Sequence, residues 1–171
     1  PVLLKQLEKL HDKALADENE TLAKKLFGCK LEYMPSEQLI EDEEFERLEK
    51  LRIEALDDKD ETFAKKILEC LSEHMPSQQF DDDSIKRIRK LHQVSSGDKE
   101  AIEKLNISIE NLLLRKHKQK FTLQELIAHT NNLFKLYEIA DEYSNEQLKK
   151  IIIDEVENVI QAYTENPHGT R

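Results

Sequence analysis

The sequence predicts an all-α fold made of tandem antiparallel helical hairpins, about eight helices in all, stacked as a short solenoid or an irregular helical bundle. Only 3 of the 171 residues are glycine and 36% are charged, which disfavours glycine-rich nucleotide folds and β-barrels. Apolar side chains recur at the three- and four-residue spacing of a helix face. In addition, one stretch of the chain occurs twice.

The duplication predicts the first four helices. Residues 7–39 recur as residues 48–80, and 18 of the 33 aligned positions are identical. In each copy an apolar stripe indicates a first helix. Asp17 and Asp58, each followed three residues later by glutamate, predict a capping box that opens the second helix. Proline cannot continue a helix, so the prolines at 35 and 76 predict the ends of the two hairpins.

The hairpin rhythm continues after the duplication. Runs of acids at 41–44 and 81–83 predict helix starts, so a third hairpin begins near the second run. A Ser-Ser-Gly break at 95–97 and capping patterns at Thr122 and Ser144 separate the remaining helices. The chain is thus expected to contain tandem 41-residue hairpin repeats with the start of a third over 1–92, divergent hairpins packed on them over 93–164, and a flexible tail over 165–171.

Residues 7–76 resemble the tetratricopeptide pattern. The matching positions are Leu7, Leu10, Ala14, Ala23, Phe27 and Pro35 in the first copy and Leu48, Leu51, Ala55, Ala64, Leu68 and Pro76 in the second. The family has tryptophan where this chain has Leu7 or Leu48, and its period is about 34 residues rather than 41. The resemblance implies a stacked scaffold that binds a peptide or a helix in a groove, generally without catalysis.

Charge and cysteine content narrow the classes of partner and compartment. The formal charge of −10 disfavours nucleic-acid binding, which depends on basic residues, and favours a protein partner, especially a basic one. No apolar run approaches the roughly 18 to 20 residues of a membrane span, and no signal peptide opens the sequence. Two cysteines make no disulfide framework, which indicates a cytoplasmic location or delivery into another cell's cytosol.

Most reactive side chains are best explained as structural. Cys29 and Cys70 occupy equivalent positions of the two copies, which predicts core positions rather than a catalytic pair. Glu8 and His11 have the spacing of a di-iron helix, but the partner motifs that such a centre needs are missing from the sequence. The acids at 57–61 lack the glycine of a calcium loop and predict a helix start.

Basic clusters are the best candidates for partner binding in this acidic chain. The candidate residues are Lys86, Arg87, Arg89, Arg115, Lys116 and Lys118. Solvated helix faces and helix ends are the alternative explanation. The duplicated lysine pairs at 24–25 and 65–66 indicate either solvent-facing positions or charges presented twice to a repetitive ligand.

Two functions remain open. The first is a non-catalytic scaffold or adaptor that binds a peptide, a helix or a protein surface. The alternative is a small acidic inhibitor, of the kind that occludes a basic site on an enzyme or a toxin. An enzyme is disfavoured, because the sequence offers no nucleophile with its base, no phosphate loop and no metal or cofactor motif. A homo-oligomer stays open, although nothing in the sequence indicates one.

Overall fold

The computed structural model describes residues 2–34, 40–74, 80–116 and 121–165. All regular structure in these ranges is helical, which confirms the predicted all-α fold. The helices are α1 (Val2–Ala16), α2 (Glu20–Tyr33), α3 (Asp42–Asp57), α4 (Glu61–Glu73), α5 (Asp82–Ser95), α6 (Lys99–Lys116), α7 (Leu123–Glu142) and α8 (Glu146–Glu165). Within the same ranges, no helix combines the length and the apolar content that crossing a membrane requires. Pro35, Pro76 and most of the expected tail lie outside the described residues.

The chain divides into two compact units, Pro1–His74 and Met75–Arg171. Helix α5, which the sequence analysis groups with the first segment, lies in the second unit. The first unit contains hairpins α1/α2 and α3/α4, whose second helices pack together. Ion pairs from Lys24 to Asp60 and from Glu32 to Lys66 connect α2 and α4 in the same order along both helices, so these helices run parallel.

The second unit contains hairpins α5/α6 and α7/α8. Helix α5 contacts α7 and α6 contacts α8, so like helices of the two hairpins lie side by side. Pairs between Asp82 and Lys135 and between Arg89 and Glu142 occur in the same order along α5 and α7, which therefore also run parallel. The core of this unit consists of fully buried aliphatic side chains, including Ile88, Leu91, Leu105, Ile109, Leu136 and Ile139.

Three of the hairpins turn through the same backbone motif. A residue with positive φ follows the first helix, at Glu18, Lys59 and Ser144. The next residue donates its N–H to a carbonyl five residues earlier, as in the bond from Asn19 to Ala14 O at 2.9 Å. This is a Schellman ending, and it satisfies carbonyls that the helix leaves without an internal donor.

The residue that completes each turn also caps the next helix. The side chains of Asn19, Asp60 and Asn145 accept backbone N–H groups at the start of α2, α4 and α8. Caps predicted at Asp17, Asp58 and Ser144 are therefore wrong by one or two residues, because the positive-φ turn lies between the two helices. The capping box predicted at Thr122 is confirmed, with its hydroxyl accepting from the N–H of Glu125.

Candidate functional site

A groove separates the two hairpins of the first unit. Its cavity volume is about 480 Å³, within the range of about 300–1,000 Å³ that is common for ligand pockets. Its lining residues come from all four helices and from one turn, and they are His11, Leu15, Glu20, Ala23, Lys24, Phe27, Arg47, Leu51, Glu54, Ala55, Asp58 and Phe63.

Aromatic rings line part of the groove. The rings of Phe27 and Phe63 meet edge to face, with centroids 6.1 Å apart at 80°. The imidazole of His11 lies 5.6 Å from the ring of Phe27. Phe27 is buried, whereas Phe63 and His11 are partly exposed. The groove therefore offers aromatic surface to a ligand, and a buried ring holds that surface in place.

Lys24 of α2 contacts the second hairpin at the edge of the groove. Its Nζ lies 2.7 Å from a carboxylate oxygen of Asp60 and 5.1 Å from the centroid of Phe63. The hydrogen bond from Lys24, with a second one from the N–H of Phe63, lowers the pKa of Asp60 below its ordinary value. Asp60 is therefore ionised at neutral pH. It acts both as the cap of α4 and as the counter-ion of Lys24.

His11 is a titratable group in contact with an aromatic ring of the groove. Burial lowers its pKa below the ordinary value of 6.5, and the positive charges of Lys30 and Arg47 act in the same direction. The carboxylate of Asp12 opposes these effects. At neutral pH the ring is therefore uncharged and contributes an aromatic surface with a polar edge.

The rim carries both signs of charge with an acidic excess. Glu20, Glu54 and Asp58 contribute carboxylates, and Arg47 contributes a guanidinium that donates to Glu44 at 2.9 Å. Lys24 is already paired with Asp60. A concave surface of aromatic and aliphatic groups with such a rim is suited to an apolar side chain that has a basic residue next to it.

The basic residues predicted on α5 do not form one exposed cluster. Lys86 and Arg89 are exposed, and Arg89 donates to a carboxylate oxygen of Glu142 at 2.7 Å. Arg87 between them is buried. The spacing indicates this difference, because residues two apart lie on opposite sides of a helix, but the predicted cluster did not take it into account.

The second predicted basic cluster is only partly described. Arg115 and Lys116 lie in the last turn of α6, and their side chains are outside the described residues. Lys118 is outside the described residues altogether. The prediction that these three residues bind a partner therefore stays a prediction.

The duplicated cysteines lie in different environments. Cys70 is buried, and burial raises the pKa of its thiol to about 12. Its Sγ lies 3.7 Å from Nδ1 of His74, a ring that also contacts the carbonyl oxygen of Cys70. Cys29 is exposed, so its predicted core position is wrong.

The duplicated lysines also take part in packing. Lys24 pairs with Asp60, and Lys66 donates to Glu32 at 3.0 Å, which raises the pKa of Lys66. Lys25 is exposed. Two of the lysines thus link α2 and α4, a role that the sequence analysis did not assign.

The groove itself was not predicted. Its sequence signal is Leu15, an apolar residue next to the first turn that lies off the stripe defined by Leu7, Leu10 and Ala14. Glu8, the other half of the di-iron spacing, contacts Lys30 at 3.5 Å instead of a metal-binding partner. Across the described ranges, no three His, Cys, Asp or Glu side chains come together as a metal site requires.

Comparisons with known proteins leave the chain without an assigned family. No family model, no curated protein and no solved structure matches it.

Proposed function

We propose that the chain is a non-catalytic interaction scaffold whose groove binds a segment of another protein. The observation that carries this proposal is the groove between α1/α2 and α3/α4, in which Phe63 and His11 present ring surface beside the buried Phe27, inside a charged rim. Stacked helical hairpins commonly bind partners along such concave surfaces, because each hairpin supplies a rigid wall.

Leu15 indicates the kind of group that the groove receives. It lines the groove, yet more than half of its surface is in contact with water. Covering it with a partner's aliphatic or aromatic side chain removes apolar area from water, at about 25 cal/mol per Å². A peptide with one large apolar side chain as its anchor fits this arrangement.

The rim favours a basic residue beside that anchor. Glu20, Glu54 and Asp58 outnumber Arg47, since Lys24 is occupied by Asp60. The formal charge of −10 acts in the same direction, by attracting cationic partners and repelling acidic ones. The preferred ligand is therefore an apolar side chain next to lysine or arginine.

A phage-displayed library of random 12-residue peptides, selected on the full chain, tests the proposal. We expect enriched sequences to combine Leu, Ile, Phe or Trp with a neighbouring Lys or Arg. Synthetic versions of these peptides should bind with affinities measurable by calorimetry. Amide shifts in NMR spectra of the labelled chain should concentrate on Leu15, Leu51 and Phe63, which line the groove.

Two matched variants identify the site. Leu15→Glu changes an exposed leucine in the groove, and Ile53→Glu changes a similarly exposed aliphatic residue on α3 that does not line it. Leu15→Glu should weaken peptide binding by more than about tenfold, and Ile53→Glu by less than about twofold. Equal effects of the two variants, or a selection that enriches no such sequence, would refute the proposal.

The alternative function, an acidic inhibitor of a basic enzyme or toxin, rests on the same charge of −10. The two functions differ in how the binding affinity responds to salt. Association driven by charge weakens steeply as ionic strength rises, whereas binding anchored by an apolar side chain changes little. Titrations of the selected peptides at low and high salt therefore separate the two functions.

A further inference from the structure

Hairpins α1/α2 and α7/α8 have the same turn. Asn19 donates its N–H to Ala14 O at 2.9 Å, and Asn145 donates to Ala140 O at 2.8 Å. In both, the residue before the cap has positive φ and the cap side chain accepts from the new helix. A constant shift of 126 residues (145 − 19) therefore relates equivalent positions of these hairpins.

The first unit shows which face of such a hairpin receives a neighbour. Hairpin α3/α4 packs on the side of α1/α2 that carries His11 and Phe27. Phe63 contacts the ring of Phe27, and Leu51 lines the groove together with His11. The stacking therefore joins the His11 and Phe27 positions of one hairpin to the Leu51 and Phe63 positions of the next.

Hairpin α7/α8 presents the receiving positions to water. The shift of 126 places Tyr137 at the His11 position and Ile153 at the Phe27 position, and they are 36% and 48% exposed. Phe134 and Ile160, also exposed, extend this stripe at helical spacing. Nζ of Lys149 lies 5.8 Å from the ring of Tyr137, which places the two helices side by side here. We call Phe134, Tyr137, Ile153 and Ile160 the α7/α8 face.

Hairpin α1/α2 presents the complementary positions. The repeat shift of 41 places Leu10 at the position of Leu51 and Leu22 at the position of Phe63. They are 52% and 45% exposed. Tyr33, which lies on α2 with Leu22, is also exposed. We call Leu10, Leu22 and Tyr33 the α1/α2 face.

Residues of opposite charge lie beside the two faces. Lys13 and Lys25 follow Leu10 and Leu22 by three residues and are exposed. On the other face, exposed Glu138 follows Phe134 by four residues and exposed Glu157 follows Ile153 by four. Residues three or four apart share a helix face, so Lys13 and Lys25 border one apolar surface and Glu138 and Glu157 the other. Two lysines also precede Ile153 by three or four residues, and one of them, Lys149, is already paired with Asp141 and Glu146.

We propose that the α7/α8 face of one chain binds the α1/α2 face of a second copy. The contact repeats between chains the stacking that joins α1/α2 to α3/α4 within the first unit. Because the two faces differ, the association is heterologous. Each chain binds one neighbour through its α7/α8 face and another through its α1/α2 face.

Sedimentation velocity over a range of chain concentrations tests this inference. We expect the average mass to rise with concentration for the natural chain. Leu10→Glu and Phe134→Glu should each reduce the association constant by more than about tenfold, since each places a carboxylate in the interface. Both residues are exposed, and circular dichroism checks that the variants remain folded.

Mixing the two variants is the decisive experiment. A Leu10→Glu chain retains an intact α7/α8 face, and a Phe134→Glu chain retains an intact α1/α2 face. The mixture should form 1:1 dimers and nothing larger. Ile53→Glu and Ile107→Glu, at exposed positions on neither face, should associate like the natural chain.

Three results would overturn the inference. A natural chain that stays monomeric at every concentration would show that the faces do not bind each other. Undiminished dimers of the Leu10→Glu chain would indicate that the α7/α8 face pairs with itself. Equal weakening by Ile53→Glu would show that the effect of the charge is not specific to the two faces.

Discussion

The amide Nδ2 of Asn145 donates a hydrogen bond to Nε2 of His92 over 3.1 Å, inside the second unit. The opposite ring nitrogen of His92 lies 2.9 Å from the carbonyl oxygen of Ile88. Asn145 also exchanges two hydrogen bonds with Asn106 and caps α8 through the N–H of Leu148. This buried cluster is satisfied when His92 is neutral, with its proton on Nδ1.

The stability of the chain should fall as the pH drops below about 6.5, the ordinary pKa of histidine. Burial, with the nearby charge of Arg89, lowers the pKa of His92, while its hydrogen bond to Ile88 opposes the shift. The unfolded chain therefore takes up the proton first. The stabilisation that the neutral His92 contributes is complete above pH 6.5. It is lost as the pH falls from 6.5 towards the pKa of His92 in the folded chain, by at most about 1.4 kcal/mol per pH unit. Urea unfolding at stepped pH measures it.

His92→Gln tests whether His92 causes this dependence of stability on pH. The pKa of His11 is also lowered, so the comparison is made in a His11→Gln background. The pH dependence between 7 and 5 should flatten when His92 is replaced. An unchanged slope in the double variant would show that another group titrates.

The caps of the second helices provide a second prediction. Asn19 accepts the N–H of Leu22, whereas Asp17 ends the preceding helix. Asn19→Ala should lower the free energy of unfolding by about 1 kcal/mol, a typical cost of losing a cap. Asp17→Ala should change it by less than about 0.5 kcal/mol. A larger loss of stability for Asp17→Ala than for Asn19→Ala in urea denaturation would show that the capping box predicted at Asp17 is correct.

This difference shows how far local sequence determines the fold. Apolar periodicity located the eight helices of the described ranges, because it reflects which face of each helix is buried. The pattern of an acid followed by glutamate fits Asp17 as well as any cap. The choice of Asn19 depends on the positive φ of Glu18, which the one-letter pattern does not reveal.

The groove depends on longer-range packing. Phe27 and Phe63 are ordinary core candidates in the sequence, and their edge-to-face contact exists only because α2 and α4 are adjacent. The same holds for Leu10, which continues an apolar stripe yet remains exposed. Periodicity predicts that a face is apolar, but the neighbouring hairpin decides whether it is covered.

The turn residues with positive φ provide a third prediction. Lys59 has φ of 60°, where a side chain bearing Cβ is strained and glycine is not. Lys59→Gly should raise the free energy of unfolding by about 0.5–1 kcal/mol, and Lys59→Ala should give no such gain. Gly97 is the opposite case, because this position already has glycine at a positive φ, of 87°. A Cβ added there meets no atom within 4 Å, so a substitution causes no clash. Gly97→Ala should therefore cost about 1 kcal/mol through backbone strain alone. Thermal unfolding of the three variants checks the set, and a gain from Lys59→Ala would contradict it.

The two thiols should differ sharply in reactivity. A pKa of about 12 leaves Cys70 almost entirely as the unreactive thiol at pH 8, with about one in ten thousand ionised. Its burial also excludes the reagent, whereas Cys29 is exposed. Ellman's reagent should therefore modify one thiol per folded chain rapidly and the second only after denaturant is added. In the Cys29→Ser variant the rapid phase should disappear. A rapid phase that survives this substitution would mean that the side of α4 carrying Cys70 opens in solution.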